Sequence, residues 1–127
     1  MTTRILLAED DDAVRSALTN ALTRSGFDVV AVDDGGPAIE LAETHVFDIV
    51  LVDLNMKTVG GIEVVRFYKK RYGSAVTCIV LSGEDDGKTR TACNDAGVSE
   101  YMLKPVSPSV LRCTLAAAEV ARRLLVA

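Results

Sequence analysis

Five short aliphatic runs alternate with five segments of helical period along the whole chain, and that alternation leaves few folds open to it. RILLA (4–8), FDVVAV (27–32), DIVLVD (48–53), VTCIVLS (76–82) and EYML (100–103) have the length and the β-branched or aliphatic content of strands. Several are apolar at nearly every position, as expected where both faces of a strand are covered. Between them, Val14, Ala17, Leu18, Ala21 and Leu22 form one helical stripe that ends near Gly26. A second helix is expected to open at Pro37 and to carry Ala38, Leu41 and Ala42 inward. The third runs from Gly61 or Ile62 to near Gly73, and a short polar fourth from Asp86 to Ala96, stopping at Gly97. The last opens after Pro108 and continues almost to the end. Strict βα alternation predicts an α/β fold, an open, doubly wound parallel sheet of five strands, (βα)5.

The 127 residues suit one domain, 1–127, and a composition of 49% hydrophobic and 25% charged residues is ordinary for a compact core. A net charge of -4 argues against nucleic acid as a partner, since phosphate backbones need a basic face. Cys78, Cys93 and Cys113 are odd in number and widely spaced, which favours neither a disulfide framework nor a zinc site; buried or semi-buried thiols are expected. There is no charged N-terminal region leading into an apolar run, and no stretch approaches the roughly 18 apolar residues of a membrane span. A cytoplasmic protein without a membrane partner is the expectation.

In a doubly wound sheet, ligands bind beyond the carboxyl ends of the strands, where strand order reverses. The first strand ends in Glu9-Asp10, the third in Asp53, the fourth in Ser82 followed by Gly83, and the fifth leads into Lys104-Pro105. Carboxylates suit a hard cation, and Mg²⁺ commonly uses one or two of them with waters and a phosphate. With such a metal, Asp53 could act as a nucleophile that forms an acyl phosphate. Ser82 and Lys104 would meet the phosphoryl oxygens during in-line transfer. A lone acid at a strand end is usually a cap or a solvated turn residue; complementary groups at four strand ends of one sheet are a different matter. Elsewhere, His45 reads as a surface residue, Tyr68 and Tyr72 as core or rim packing, and the KKR run at 69–71 as a solvated face.

RILLAEDD, DIVLVDLNM with Gly61 after it, IVLSGED and EYMLKP, in that order, resemble the receiver domain of bacterial two-component response regulators over nearly the whole chain. The resemblance implies strand order 2-1-3-4-5. It makes Asp53 the phosphoacceptor, places Asp10 directly on Mg²⁺ and Glu9 at the metal through water, and has Asn55 offer its backbone carbonyl. Ser82 takes the position of the switch hydroxyl, Lys104 that of the phosphate-binding lysine and Tyr101 that of the switch aromatic. Asn55 and Glu84 flank the implied path of attacking water and are expected to shorten the phosphoryl lifetime. Asp12 is expected to cap the first helix, with Asp11 a loop or capping residue away from the metal.

The implied partners are a sensor histidine kinase or phosphotransfer protein and a downstream target or output domain. The switching face would comprise the fourth helix, fifth strand and last helix. On the last helix, Leu111, Leu115 and Ala118 form one stripe and Ala117, Ala121 and Leu124 a second, which either carries little meaning or meets a partner or a second copy of the chain. The chain stands alone or belongs to a longer multidomain regulator or hybrid kinase; the sequence does not choose. Two departures from the family pattern stand near the site. Lys57 replaces the usual Pro, loosening the loop and favouring a side chain in solvent, and Gly83 replaces the commoner Ala. A rival reading, a small aspartyl-phosphate phosphatase, normally wants an Asp two residues beyond the nucleophile, where this chain has Asn55. A flavodoxin-like FMN site fails because four acids follow the first strand where phosphate-binding amides should lie.

Overall fold

A computed structural model describes residues 2–126. Strands β1 (Arg4–Ala8), β2 (Asp28–Val32), β3 (Ile49–Asp53), β4 (Thr77–Ser82) and β5 (Glu100–Leu103) form one sheet in the order β2-β1-β3-β4-β5, and all neighbours are parallel. Helices α1 (Asp12–Arg24), α2 (Gly35–Glu40), α3 (Gly61–Tyr72), α4 (Gly87–Ala96) and α5 (Pro108–Val126) join them. Short 3₁₀ turns at Leu41–Glu43 and Gly73–Ala75 extend α2 and α3.

The two-residue repeat of the strands sorts their side chains into two cores. Leu6, Ala8, Val50, Val52, Cys78 and Val80 face α2, α3 and α4, meeting Ala38, Val64, Val65, Tyr68 and Cys93. Ile5, Leu7, Ile49, Leu51, Ile79 and Leu81 face the other way, onto Leu18 and Leu22 of α1 and Leu111 and Leu115 of α5. Beyond their half-buried first residues, β1 and β4 are fully covered, and β3 is covered throughout. The outer strands are less protected: β2 and β5 hold only half-buried and exposed positions, and each has a neighbour on one side alone.

Several boundaries move by a residue or two. Helix α2 opens at Gly35 rather than Pro37; Pro37 lies within the first turn, where no intrahelical partner is needed for its missing N–H. The cap of α1 is Asp11, which accepts a hydrogen bond from the Val14 amide at 3.0 Å. Asp12, expected as the cap, is already the first helical residue, and its carboxylate pairs with Arg15 one turn on at 2.6 Å. Asp86 caps α4 through the Thr89 amide at 2.8 Å, and Gly97 ends that helix at φ 100°, a conformation that favours glycine.

Cys78 and Cys93 are buried as expected, whereas Cys113 is exposed, since it lies on α5 away from the buried Leu111–Leu115 stripe. Ala117, Ala121 and Leu124 are exposed as well. His45 is half-buried and stacks on Phe47 at 5.7 Å. Tyr72 is half-buried at the rim, and Tyr68 is wholly buried. The Tyr68 hydroxyl donates to the Ala38 carbonyl at 2.7 Å, tying α3 to α2 inside the core, and Phe47 and Phe67 meet its ring edge-on. Tyr68→Phe keeps the packing but leaves the carbonyl unpartnered, so urea unfolding should show a loss of about 1–2 kcal/mol. An unchanged midpoint would mean that the bond contributes nothing.

Candidate functional site

The carboxyl edge of the sheet gathers its charged groups by backbone register. Glu9 is the residue after β1; its amide continues the strand pairing to Val32 O at 3.1 Å, and the residue is fully buried. Asp53 closes β3 and is 5% exposed. Lys104 follows β5, with its amide on Ser82 O at 2.8 Å. From there its Nζ reaches Glu9 Oε1 at 2.7 Å and Asp53 Oδ2 at 3.1 Å. Glu9, Asp10 and Asp53 each present an oxygen within 4.8 Å of the others.

Three carboxylates face one ammonium, so the site keeps an excess of negative charge. Burial is the largest cause pushing the Asp53 pKa up to about 6, the neighbouring Glu9 carboxylate adds to it, and Lys104 pulls it partly back. Burial works against the charged form of Lys104, but Glu9 and Asp53 outweigh it and hold its pKa above the ordinary value. Glu9 Oε2 accepts the Asp11 amide at 3.2 Å; Oε1 is buried and, beyond the nearby ammonium, accepts no well-angled hydrogen bond. An oxygen-only donor set with a charge excess and a poorly satisfied buried oxygen suits a hard divalent cation. Glu9, Asp10 and Asp53 fit Mg²⁺ on those grounds.

The remaining residues singled out in the sequence lie on the adjoining loops. The Asn55 amide points back to Asp53 Oδ1 at 3.4 Å, while its side chain is exposed. Ser82 is fully buried at the end of β4; its Oγ accepts from the Glu84 amide at 3.0 Å and donates to the Glu84 carbonyl at 3.3 Å. The Tyr101 hydroxyl donates to that same Glu84 carbonyl. Ser82 and Tyr101, far apart in sequence, therefore meet at one backbone oxygen. Lys57 is exposed, and Gly83 has open space where a side chain would be.

Three features escaped the sequence reading. Arg90 of α4 lies 4.5 Å from the centre of the Tyr101 ring and is itself held by Asp85 at 2.6 Å, an arrangement that sequence spacing gives no reason to expect. Gly61 packs so tightly under the loop that follows β3 that an added Cβ would lie 2.5 Å from the Asp53 carbonyl oxygen. Asp34 stands at the end of β2, the strand end not searched for chemistry, and the rule applied to the other four would have found it.

The charge excess has a measurable consequence. A carboxylate whose pKa is raised on folding favours the fold when protonated; that stability is fully present below the unfolded value of about 3.9 and is lost as pH rises through the folded value. Without metal, Asp53→Asn should therefore be more stable than the parent above pH 6, by about 1–3 kcal/mol, with the gap closing towards pH 4. Thermal melts in chelator at both ends of that range test this. An Asp53→Asn protein less stable than its parent at neutral pH would overturn the electrostatic account.

Residues 5–116 match the response regulator receiver domain family. A cyclic di-GMP phosphodiesterase of Thermotoga maritima is 37% identical over 85% of this chain and 28% of its own length. The response regulator MprA of a Mycobacterium species is 35% identical over 83% of this chain and 45% of its own. The chain thus spans less than half the length of these curated relatives. Among solved structures, a CheY-like receiver domain protein from Methanospirillum hungatei superposes with a TM-score of 0.92, covering 97% of this chain and 98% of its own at 22% identity, which speaks to the fold. With that fold and a family match across most of its residues, the chain belongs to the response regulator receiver domain family.

Proposed function

We propose that this receiver accepts a phosphoryl group on Asp53 from the phosphohistidine of a sensor histidine kinase or phosphotransfer protein, and that the aspartyl phosphate switches a protein-binding face. The observation that carries this reading is the convergence of a buried strand-end carboxylate, Asp53, with Lys104 Nζ at 3.1 Å and the oxygens of Glu9 and Asp10. Mg²⁺ would be held by Glu9, Asp10, Asp53 and the Asn55 backbone carbonyl, and would supply charge neutralisation at the phosphoryl oxygens.

In the transfer, an Asp53 carboxylate oxygen forms a bond to phosphorus as the bond from phosphorus to the donor imidazole breaks, and the imidazole takes up a proton. Lys104 turns from bridging carboxylates to pairing with a phosphoryl oxygen. Ser82 then swings its hydroxyl from the Glu84 carbonyl towards the phosphoryl group, and Tyr101 moves into the space left. The population shifts between two arrangements of α4, β5 and α5. Leu103, Val110 and Val120 are exposed on β5 and α5, which suits a face that docks a target, an output domain or a second copy of this chain.

Phosphorylation uses Asp53 once per cycle, so the chain acts as a regulator with slow self-dephosphorylation rather than as a turnover enzyme. A cytoplasmic setting accords with a histidine kinase partner. No helix among the described residues is long and apolar enough to cross a membrane.

Intact mass after incubation with a small phosphodonor and Mg²⁺ should show one added phosphoryl group in the parent and none in Asp53→Asn or in a chelated control. No gain with any donor, a broad-specificity kinase included, would refute the proposal. In this reading Asn55 and Glu84 flank the path of attacking water, so the phosphorylated protein should be short-lived in Mg²⁺. Persistence for many hours would contradict their assigned role.

A further inference from the structure

Asp34 occupies the N-cap position of α2, where an Asp side chain ordinarily accepts an amide of its own helix. It does not do so. Its Oδ1 accepts the Thr58 amide at 3.2 Å and its Oδ2 the Val59 amide at 3.3 Å, reaching across to the loop between β3 and α3. The next residue, Gly35, packs against the same loop so closely that an added Cβ would lie 2.4 Å from the Val59 carbonyl oxygen and 2.8 Å from the Val59 Cβ. That loop leaves Asp53, passes through Asn55 and Lys57, and is fastened again where the Gly61 amide donates to the Leu54 carbonyl at 3.0 Å.

The loop therefore has a bidentate anchor at Thr58–Val59, while position 57 holds a flexible lysine instead of a ring that would restrict the backbone. We propose that Asp34 is a positioning residue for the cation site: it holds the β3–α3 loop so that the Asn55 carbonyl is presented to the metal beside Asp53, doing through hydrogen bonds what a rigid residue 57 would do covalently. Asp34 binds no metal in this scheme. Burial would raise its pKa, but the amides of Thr58 and Val59, with those of Gly35 and Gly36 nearby, outweigh that and leave it lowered, so the anchor is ionised at neutral pH. This inference rests on the Mg²⁺-dependent reading of the site given above.

Asp10, Asp12, Asp33 and Asp34 line one hollow, so loss of any of these charges could weaken cation binding without involving the loop. The test must separate charge from position. Mg²⁺ affinity measured by calorimetry on the unphosphorylated chain, with amide hydrogen exchange at Thr58 and Val59, does so across four proteins: the parent, Asp34→Ala, Asp33→Asn and Gly35→Ala. Asp34→Ala should bind Mg²⁺ roughly tenfold more weakly, the scale on which outer-shell partners act on metal ligands, and its Thr58 and Val59 amides should exchange faster. Gly35→Ala retains every charge but displaces the loop, and should weaken binding in the same direction. Asp33→Asn removes a neighbouring charge and should change affinity by less than about twofold, as a screened surface charge does.

Equal affinity in Asp34→Ala and the parent would overturn the inference while leaving the phosphoacceptor reading intact. An equal loss in Asp33→Asn would overturn it in favour of bulk charge. A parent that binds no Mg²⁺ at all would remove the reading beneath it, and the inference with it.

Discussion

One ammonium group reaching across the sheet edge to two buried carboxylates is the interaction on which the rest of this molecule is arranged. Lys104 comes from beyond the edge strand β5, Glu9 from β1 and Asp53 from β3, so the contact exists only if four strands hold their register. Burying such charges is expensive unless they are paired. The pairing here is deliberately short of neutrality, with Asp10 adding a further negative charge. The two apolar cores on either face of the sheet provide the surplus stability that tolerates this deficit.

The fold was legible because its signal is repeated. The central strands β1, β3 and β4 are nearly continuous aliphatic runs, α1 and α5 carry apolar stripes, and β1 and β5 were bounded to the residue in the sequence. The convergence of Glu9, Asp10, Asp53 and Lys104 was legible because the alternation says which end of each strand lies at the carboxyl edge of the sheet, after which the residues gathered there can be read off. What failed depends on short-range competition that sequence leaves balanced. Asp11 and Asp12 are chemically equivalent candidates for the same cap, and one residue of helix extension decides between them. The start of α2 was misplaced because Pro37 advertises a first helical position while the close approach of Gly35 to Val59, a tertiary contact, sets the true one. Cys113 was misjudged because a thiol carries no directional signal of its own; its helix position relative to Leu111 and Leu115 is what exposes it.

The junction at the Glu84 carbonyl gives the loop after β4 a particular economy. A single backbone oxygen accepts from Ser82, which is sealed inside the protein, and from Tyr101, which is half-exposed at its surface. Movement of either donor changes the hydrogen bonding available to the other, with no intervening chain of side chains required. Arg90 covers the Tyr101 ring from outside, so the surface end of this junction is held by α4, and any displacement of that helix is felt at the ring.

The distribution of sulfur has a practical consequence. The chain contains no tryptophan, so its native fluorescence comes from three tyrosines, two on α3 and one on β5. Burial pushes the Cys78 thiol up to about 12 and raises that of Cys93, which keeps both in the unreactive protonated form inside the core. Cys113 alone of the three is open to solvent, and it lies on α5. A thiol-directed fluorophore or spin label thus attaches at one place in the unaltered sequence, turning the wild-type chain into its own single-site optical or magnetic reporter.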